Sequence, residues 1–144
     1  MQRALEQGRA AGAHGDVPIG AVVLDAAGNL VAEGGNEREL MGDPTAHAEV
    51  VALRRAAERL GEWRLTGCTL VVTLEPCTMC AGAIVASRIE HLVFGAFDAR
   101  AGAVSSLFDV VRDPRLNHRP RVTGGVMEQE CAALLDAFFA ERRL

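Results

Sequence analysis

Two spacings of apolar residues alternate along the chain. Pro18-Ile19-Gly20-Ala21-Val22-Val23-Leu24-Asp25 reads as a strand, Ala26-Ala27-Gly28-Asn29 supplies turn residues, and Leu30-Val31-Ala32-Glu33 returns; this pattern predicts a hairpin. Cys68-Thr69-Leu70-Val71-Val72-Thr73-Leu74 and His91-Leu92-Val93-Phe94-Gly95 are continuous apolar runs, the pattern of strands buried on both faces. Residues 119–126 predict one more strand. Helical spacing takes over elsewhere. In residues 46–60, Val50, Leu53 and Ala57 recur every three or four positions, with Thr45 as a candidate N-cap and Gly61 as the stop. Residues 1–13, anchored by Leu5, and 78–87 predict two shorter helices. A closing helix over 127–143 carries a stripe of Cys131, Leu134, Leu135 and Phe138. Residues 34–44 read as a polar loop. A hairpin followed by strand–helix alternation predicts an α/β fold in three layers, with a central mixed sheet of about five strands between helices.

Composition adds bounds to this picture. A chain of 144 residues, 49% apolar, fits one domain over 1–144, and a domain of this size buries roughly 68–70% of its unfolded surface. No apolar run reaches the ~18–20 residues of a membrane span, and residues 1–7 include Glu6 and lack the apolar block of a secretory signal. A soluble, cytoplasmic protein is expected. The net charge of −4 advertises no nucleic-acid partner. Every cation is arginine, and the late group of Arg112, Arg115, Arg119, Arg121, Arg142 and Arg143 reads either as a solvated face or as a phosphate-contact surface. Arg119 and Arg121, two apart, would share one side of the last strand.

The four cysteines divide by context. Cys68 lies in an apolar run and Cys131 in the closing helix, so both read as buried small hydrophobes. Cys77 and Cys80 are three apart in Pro76-Cys77-Thr78-Met79-Cys80, downstream of His47-Ala48-Glu49. Positions i and i+3 at a helix start present two sulfurs to one point. With His47 they make three metal donors, the number that leaves a catalytic zinc an open position, whereas structural zinc takes four. No fourth ligand is obvious nearby, since His14, His91 and His118 stand alone, although a distant residue would close the site. Both donor groups start helices, whose N-terminal partial charge favours thiolate. Residues i and i+2 do not share a helix face, so His47 is read as the ligand and Glu49 as a free proton carrier. Zinc lowers the pKa of a bound water toward ~7, and the spacing H-x-E…P-C-x-x-C is the signature of hydrolytic base deaminases, with the glutamate as acid and base. Pro76 sets the turn into the metal helix.

Longer words then join these motifs: 43–49 (Asp-Pro-Thr-Ala-His-Ala-Glu), 73–83 (Thr-Leu-Glu-Pro-Cys-Thr-Met-Cys-Ala-Gly-Ala), Ser87-Arg88-Ile89, 94–99 (Phe-Gly-Ala-Phe-Asp-Ala), Asn117-His118 and 130–135 (Glu-Cys-Ala-Ala-Leu-Leu). On these the chain resembles the bacterial tRNA-specific adenosine deaminases of the cytidine deaminase superfamily, over nearly its whole length. The first two words are shared in part by guanine, cytosine and riboflavin-pathway deaminases; the later ones look specific to the tRNA enzymes. The resemblance implies a cytidine deaminase-like fold and adenosine-to-inosine conversion at the wobble position of a tRNA anticodon. It also implies one Zn2+ per subunit and a homodimer. Carried onto this sequence, His47, Cys77 and Cys80 would hold the metal and Glu49 would shuttle protons. Asn36 would hold the flipped adenine and Asp98 would contact sugar or backbone beside it. Asn117 and His118 would lie near the anticodon, and Phe139 would line the base pocket. Plainer roles stand beside these: Asn36 as a turn residue, Asp98 as a loop cap, Phe139 as core. Phe97 departs from the family pattern where a basic residue is frequent, and Val104-Ser105 where a small pair is usual.

Two other readings stay open on sequence alone. One is a deaminase of a free base or nucleoside (guanine, cytosine or adenosine), which suits the acidic charge. The other is a noncatalytic binding module with structural zinc, which predicts a closed four-ligand site.

Overall fold

The computed structural model describes residues 1–142. Its elements run α1 (Gln2–Ala13), β1 (Gly20–Leu24), β2 (Leu30–Gly35), α2 (Arg38–Met41), α3 (Ala48–Leu60), β3 (Thr69–Leu74), α4 (Thr78–Ala86), β4 (His91–Ala96), β5 (Arg121–Thr123) and α5 (Glu128–Arg142). The five strands form one mixed sheet in the order β2-β1-β3-β4-β5. β1 pairs antiparallel with β2 and with β3, while β3–β4 and β4–β5 are parallel. The expected three-layer α/β/α architecture with a five-stranded mixed sheet is the one found.

Strand alternation decides which helix covers which face. Ala21, Val23, Leu70, Val72, Leu92 and Phe94 point to one side and pack against Ala52 and Ala56 of α3 and Ala81 and Ile84 of α4. Their neighbours Val22 and Val71 point the other way, under Ala4 of α1. α5 adds Cys131 beside Leu5 and Ala96 on that same side. Cys68 and Cys131 are buried, as expected of small apolar side chains. Close approach of the outer helices requires glycine on the sheet: a Cβ at Gly20 would strike the Ala4 carbonyl, and one at Gly95 would fall on Cys131 and 2.7 Å from the Thr73 carbonyl.

Four local expectations change. The helix predicted from residue 46 begins at Ala48, and His47 takes the N-cap position in extended conformation, φ −68° and ψ 152°. Thr45 caps nothing; its N–H and hydroxyl both donate to Asp43 Oδ1 at 2.8 Å, an Asx turn. The polar loop contains α2, because the buried Asp16 carboxylate accepts the amides of Glu39 (2.7 Å) and Leu40 (3.1 Å), supplying the cap that the loop lacks. The last strand shrinks to Arg121–Thr123: Pro120 has no N–H for the ladder and Gly124-Gly125 follows. Arg119 therefore lies outside it. The stripe on α5 is only half-sunk, with Cys131 buried and Leu134, Leu135 and Phe138 partly covered.

Candidate active site

The parallel strands β3 and β4 end side by side, with Leu74 opposite Ala96, and the chain beyond β3 turns through Pro76 into α4. Cys77 is the N-cap of α4 with extended backbone, φ −75° and ψ 179°, and Cys80 follows in the first turn. N-cap and N3 side chains face the same exposed amides, so the two sulfurs converge on the positive end of the helix. α3 brings its own N-cap, His47, to the same point. His47 Nδ1 stands 3.6 Å from Cys77 Sγ and 3.5 Å from Cys80 Sγ, and the three donor atoms all lie within 4.8 Å of one another.

That spacing fits zinc. Zn–N of about 2.0–2.1 Å and Zn–S of about 2.3 Å at a tetrahedral angle separate N from S by about 3.6 Å. Among the described residues no other histidine, cysteine or carboxylate joins the group. The protons agree with a metal-binding role. A hydrogen bond from the Cys80 thiol, with further help from His47, holds Cys77 down to about 3. Cys80 is pushed up, since Cys77 receives its proton and burial disfavours a second thiolate. His47 is raised by its contact with Cys77. The proton held between the sulfurs is the one a metal displaces, because thiolates are the ligating form.

Glu49 sits in the first turn of α3, buried at 4% exposure. Burial pushes its carboxyl up to about 7, opposed by its own backbone N–H and by a hydrogen bond with Cys80. It is outside the donor group yet touches it through Cys80.

Asn36 precedes a residue bonded beside a donor, and Asp98 is bonded to Glu75, two residues before Cys77. The amide after Asn36, that of Glu37, donates to the carbonyl of Ala46 at 2.9 Å, directly before His47. Asn36 itself is buried; its Nδ2 donates to Val17 O at 3.4 Å and its Oδ1 accepts the Arg38 amide at 3.1 Å. It lines a cavity of about 480 Å³ with His14, Asp16, Val17, Arg38 and Phe138. Asp98 follows β4; its amide donates to Glu75 Oε1 at 3.0 Å, and its Oδ1 accepts the amides of Arg100 (3.0 Å) and Ala101 (3.2 Å). Both side chains thus hold turns, Asn36 just after β2 and Asp98 just after β4.

Other residues are placed differently. Phe139 is 42% exposed and packs edge-to-face on Phe138, with ring centroids 5.4 Å apart; Phe138 is the aromatic that lines the Asn36 cavity. His118 Nε2 donates to the Ile89 carbonyl at 2.6 Å, ahead of β4, and Asn117 beside it is exposed. This is the opposite end of the parallel strands from the donors, and a strand of six residues such as β4 spans roughly 20 Å. Within one chain the structure does not bring these two residues to the metal donors. The late arginines are largely engaged at home: Arg112 pairs with Asp109 at 3.1 Å and donates to Val104 O, Arg115 pairs with Asp113 at 2.6 Å, and Arg119 donates to the carbonyls of Pro114 and Leu116. Arg143 lies outside the described residues.

Residues 1–96 match the cytidine and deoxycytidylate deaminase zinc-binding region. This chain belongs to that family of zinc-binding deaminases. The metal of this deaminase is therefore zinc, and His47, Cys77 and Cys80 are positioned to hold it. It is 50% identical over 143 residues to the tRNA-specific adenosine deaminase of Haemophilus influenzae, an alignment covering 99% of this chain and 83% of the relative. A tRNA:A34 deaminase solved in studies of A-to-I editing at the wobble position of transfer RNA superposes with a TM-score of 0.90 at 46% identity, covering 94% of this chain and 97% of that one. The guanine deaminase of Nitrosomonas europaea superposes less closely, with a TM-score of 0.80 at 30% identity, covering 96% of this chain and 82% of that one.

Sequence reasoning missed two polar residues of the deaminase. Asp16 caps α2 from across the fold. Glu75, 2% exposed, collects donors from residues 98–106. The only signal in the sequence is that a buried acid must find donors; which donors was not legible.

Proposed function

We propose that this zinc deaminase, acting as one domain over residues 1–144, converts adenosine to inosine at the wobble position of a tRNA anticodon, as a cytoplasmic homodimer. One observation carries the reaction: His47, Cys77 and Cys80 converge with zinc spacing while the buried Glu49 stays outside the ligand set. The substrate follows from the 50% identity to a tRNA-specific adenosine deaminase along the full chain, against 30% for the guanine deaminase.

Zinc, when bound, supplies a water of lowered pKa. With that water as nucleophile at C6 of adenine, Glu49 would take its first proton and pass it to the ring nitrogen, then take the proton of the resulting C6 hydroxyl and pass it to the amine, so that the C6–N bond breaks, ammonia leaves and the carbonyl of inosine remains. Burial suits Glu49 to both roles, because a carboxyl raised toward neutrality gives its proton up as readily as it takes one. Asn36 holds the flipped adenine through hydrogen-bonding capacity that its local bonds leave over. Asp98 contacts the sugar or backbone next to it. Phe139 stacks at the base pocket together with Phe138, and Asn117 and His118 meet parts of the RNA away from the reacting base. An unpaired anticodon loop suits this chemistry, since extruding a single-stranded base costs little. The dimer reading is supported by an apolar cleft of about 330 Å³ between α3 and α4, lined by Val50, Leu53, Ala57, Ala83 and an exposed Trp63.

Inosine formation by the zinc-loaded protein on an anticodon stem-loop with adenosine at the wobble position tests the assignment, with free adenosine, guanine and cytosine in parallel. Turnover of the stem-loop alone is expected; turnover of a free base with an inert stem-loop would overturn the RNA substrate while keeping the zinc chemistry.

A further inference from the structure

Glu75 is a carboxylate in the wrong place for a surface acid. It lies two residues before the first zinc cysteine and is 2% exposed. Both oxygens are fully used by one segment. Oε1 accepts the Asp98 amide (3.0 Å) and the Ser106 hydroxyl; Oε2 accepts the amides of Val104 (3.2 Å), Ser105 (2.8 Å) and Ser106 (2.8 Å). The next residue continues the seam, with the Pro76 carbonyl accepting the Ala103 amide at 2.8 Å. The segment is moulded to the carboxylate: a Cβ on Gly102 would meet it, 2.5 Å from Oε1. A carboxylate receiving several backbone N–H groups acts as a template, because removing it strands those donors together.

We propose that Glu75 is a positioning residue for RNA, fixing the 97–106 segment, and with it Asp98 and the exposed Phe97, in register with the zinc donors. The inference rests on the proposed RNA substrate. Glu75 and Cys77 are on one rigid turn, so the clamp ties substrate-facing groups to the metal ligands without itself touching either substrate or zinc. Burial of a charge is costly unless it is satisfied; here every acceptor direction is taken by the segment that follows β4, which marks the arrangement as one of placement.

Glu75→Gln tests this. The amide keeps the volume but replaces an acceptor with an NH2 that cannot accept, so in either orientation a backbone N–H of the segment faces a donor. The expected result is full zinc content, a KM for the stem-loop raised ~10-fold, and kcat within ~3-fold of wild type, in line with the effect of losing an outer support of a site. A double-mutant cycle with Asp98→Ala separates positioning from general stability: the double variant is expected to be no worse in KM than the worse single one. Multiplying effects, or a wild-type KM in Glu75→Gln, would overturn the proposal. Should Glu75→Gln fail to fold, Gly102→Ala displaces the same segment from the loop side and is judged by the same KM and the same cycle. If wild-type protein is inert on the stem-loop, the RNA substrate falls, and the clamp is judged by amide hydrogen exchange: faster exchange at Asp98, Val104, Ser105 and Ser106 in Glu75→Gln supports it, unchanged exchange overturns it.

Discussion

His47 Nδ1 lies 3.5 Å from Cys80 Sγ, although 33 residues separate them in sequence. Each residue belongs to the first turn or cap of its own helix, and β1, antiparallel to both β2 and β3, runs those two strands in one direction, so that α3 and α4, which follow them, start at the same end of the sheet. The zinc site is thus a junction between two helix N-termini, and it has consequences for both activity and stability.

Glu49→Gln removes the proton carrier while keeping the shape and all three zinc donors. Inosine formation is expected to fall by ~10²–10⁴-fold, the usual worth of a positioned acid–base group, with metal content unchanged. Single-turnover rates together with zinc analysis decide this; loss of zinc along with activity would instead make Glu49 a ligand.

Removing zinc should loosen the whole molecule. A ligand at 100 to 1,000 times its dissociation constant stabilises the folded state by about 2.7–4.1 kcal/mol, so a chelator is expected to lower Tm, and added zinc to restore it. Thiol reagents report the same event residue by residue. Cys77 and Cys80 should become reactive on chelation, while Cys68 and Cys131, buried and with thiols raised mainly by that burial, should stay inert until the chain unfolds.

Gly95→Ala should destabilise by about 1–3 kcal/mol, because the added methyl has no room between Cys131 and the Thr73 carbonyl. The midpoint of chemical unfolding reads this directly. Gly82→Ala, where a Cβ meets no atom within 4 Å, is the control and should be neutral or slightly stabilising.

Arg115→Ala should leave the stem-loop KM within ~2-fold and leave its salt dependence unchanged. Each phosphate neutralised in a single strand adds about 0.7 to the logarithmic salt slope, and Arg115 is already committed to Asp113 at 2.6 Å. A shallower slope in the variant would show that Arg115 leaves Asp113 for RNA.

The hairpin, the buried strands β3 and β4 and the helices α3 and α4 were legible in sequence because each is written locally. The continuous apolar run from Cys68 to Leu74, or the spacing of Val50, Leu53 and Ala57, reveals its element by pattern alone. So was the zinc set: Cys77 and Cys80 need only one helix start to converge, and His47-Ala48-Glu49 needs only one more to divide ligand from proton carrier. The chain by itself also carried the element order that fits a three-layer α/β/α sheet and the motif that belongs to a zinc deaminase. Tertiary structure decided what depends on partners across layers. Glu75 is one acid among many until the segment from Asp98 to Ser106, 23 to 31 residues on, folds over it. Asp16 creates a helix in a loop by capping it 23 residues away. Arg119 falls outside the last strand, and His118 is placed at the far end of the sheet from the metal. Spacing and sterics act between near neighbours and survive in any context. The partner of a buried polar group is chosen only when strands and helices have packed, since its bonds form across elements whose registration no local pattern records.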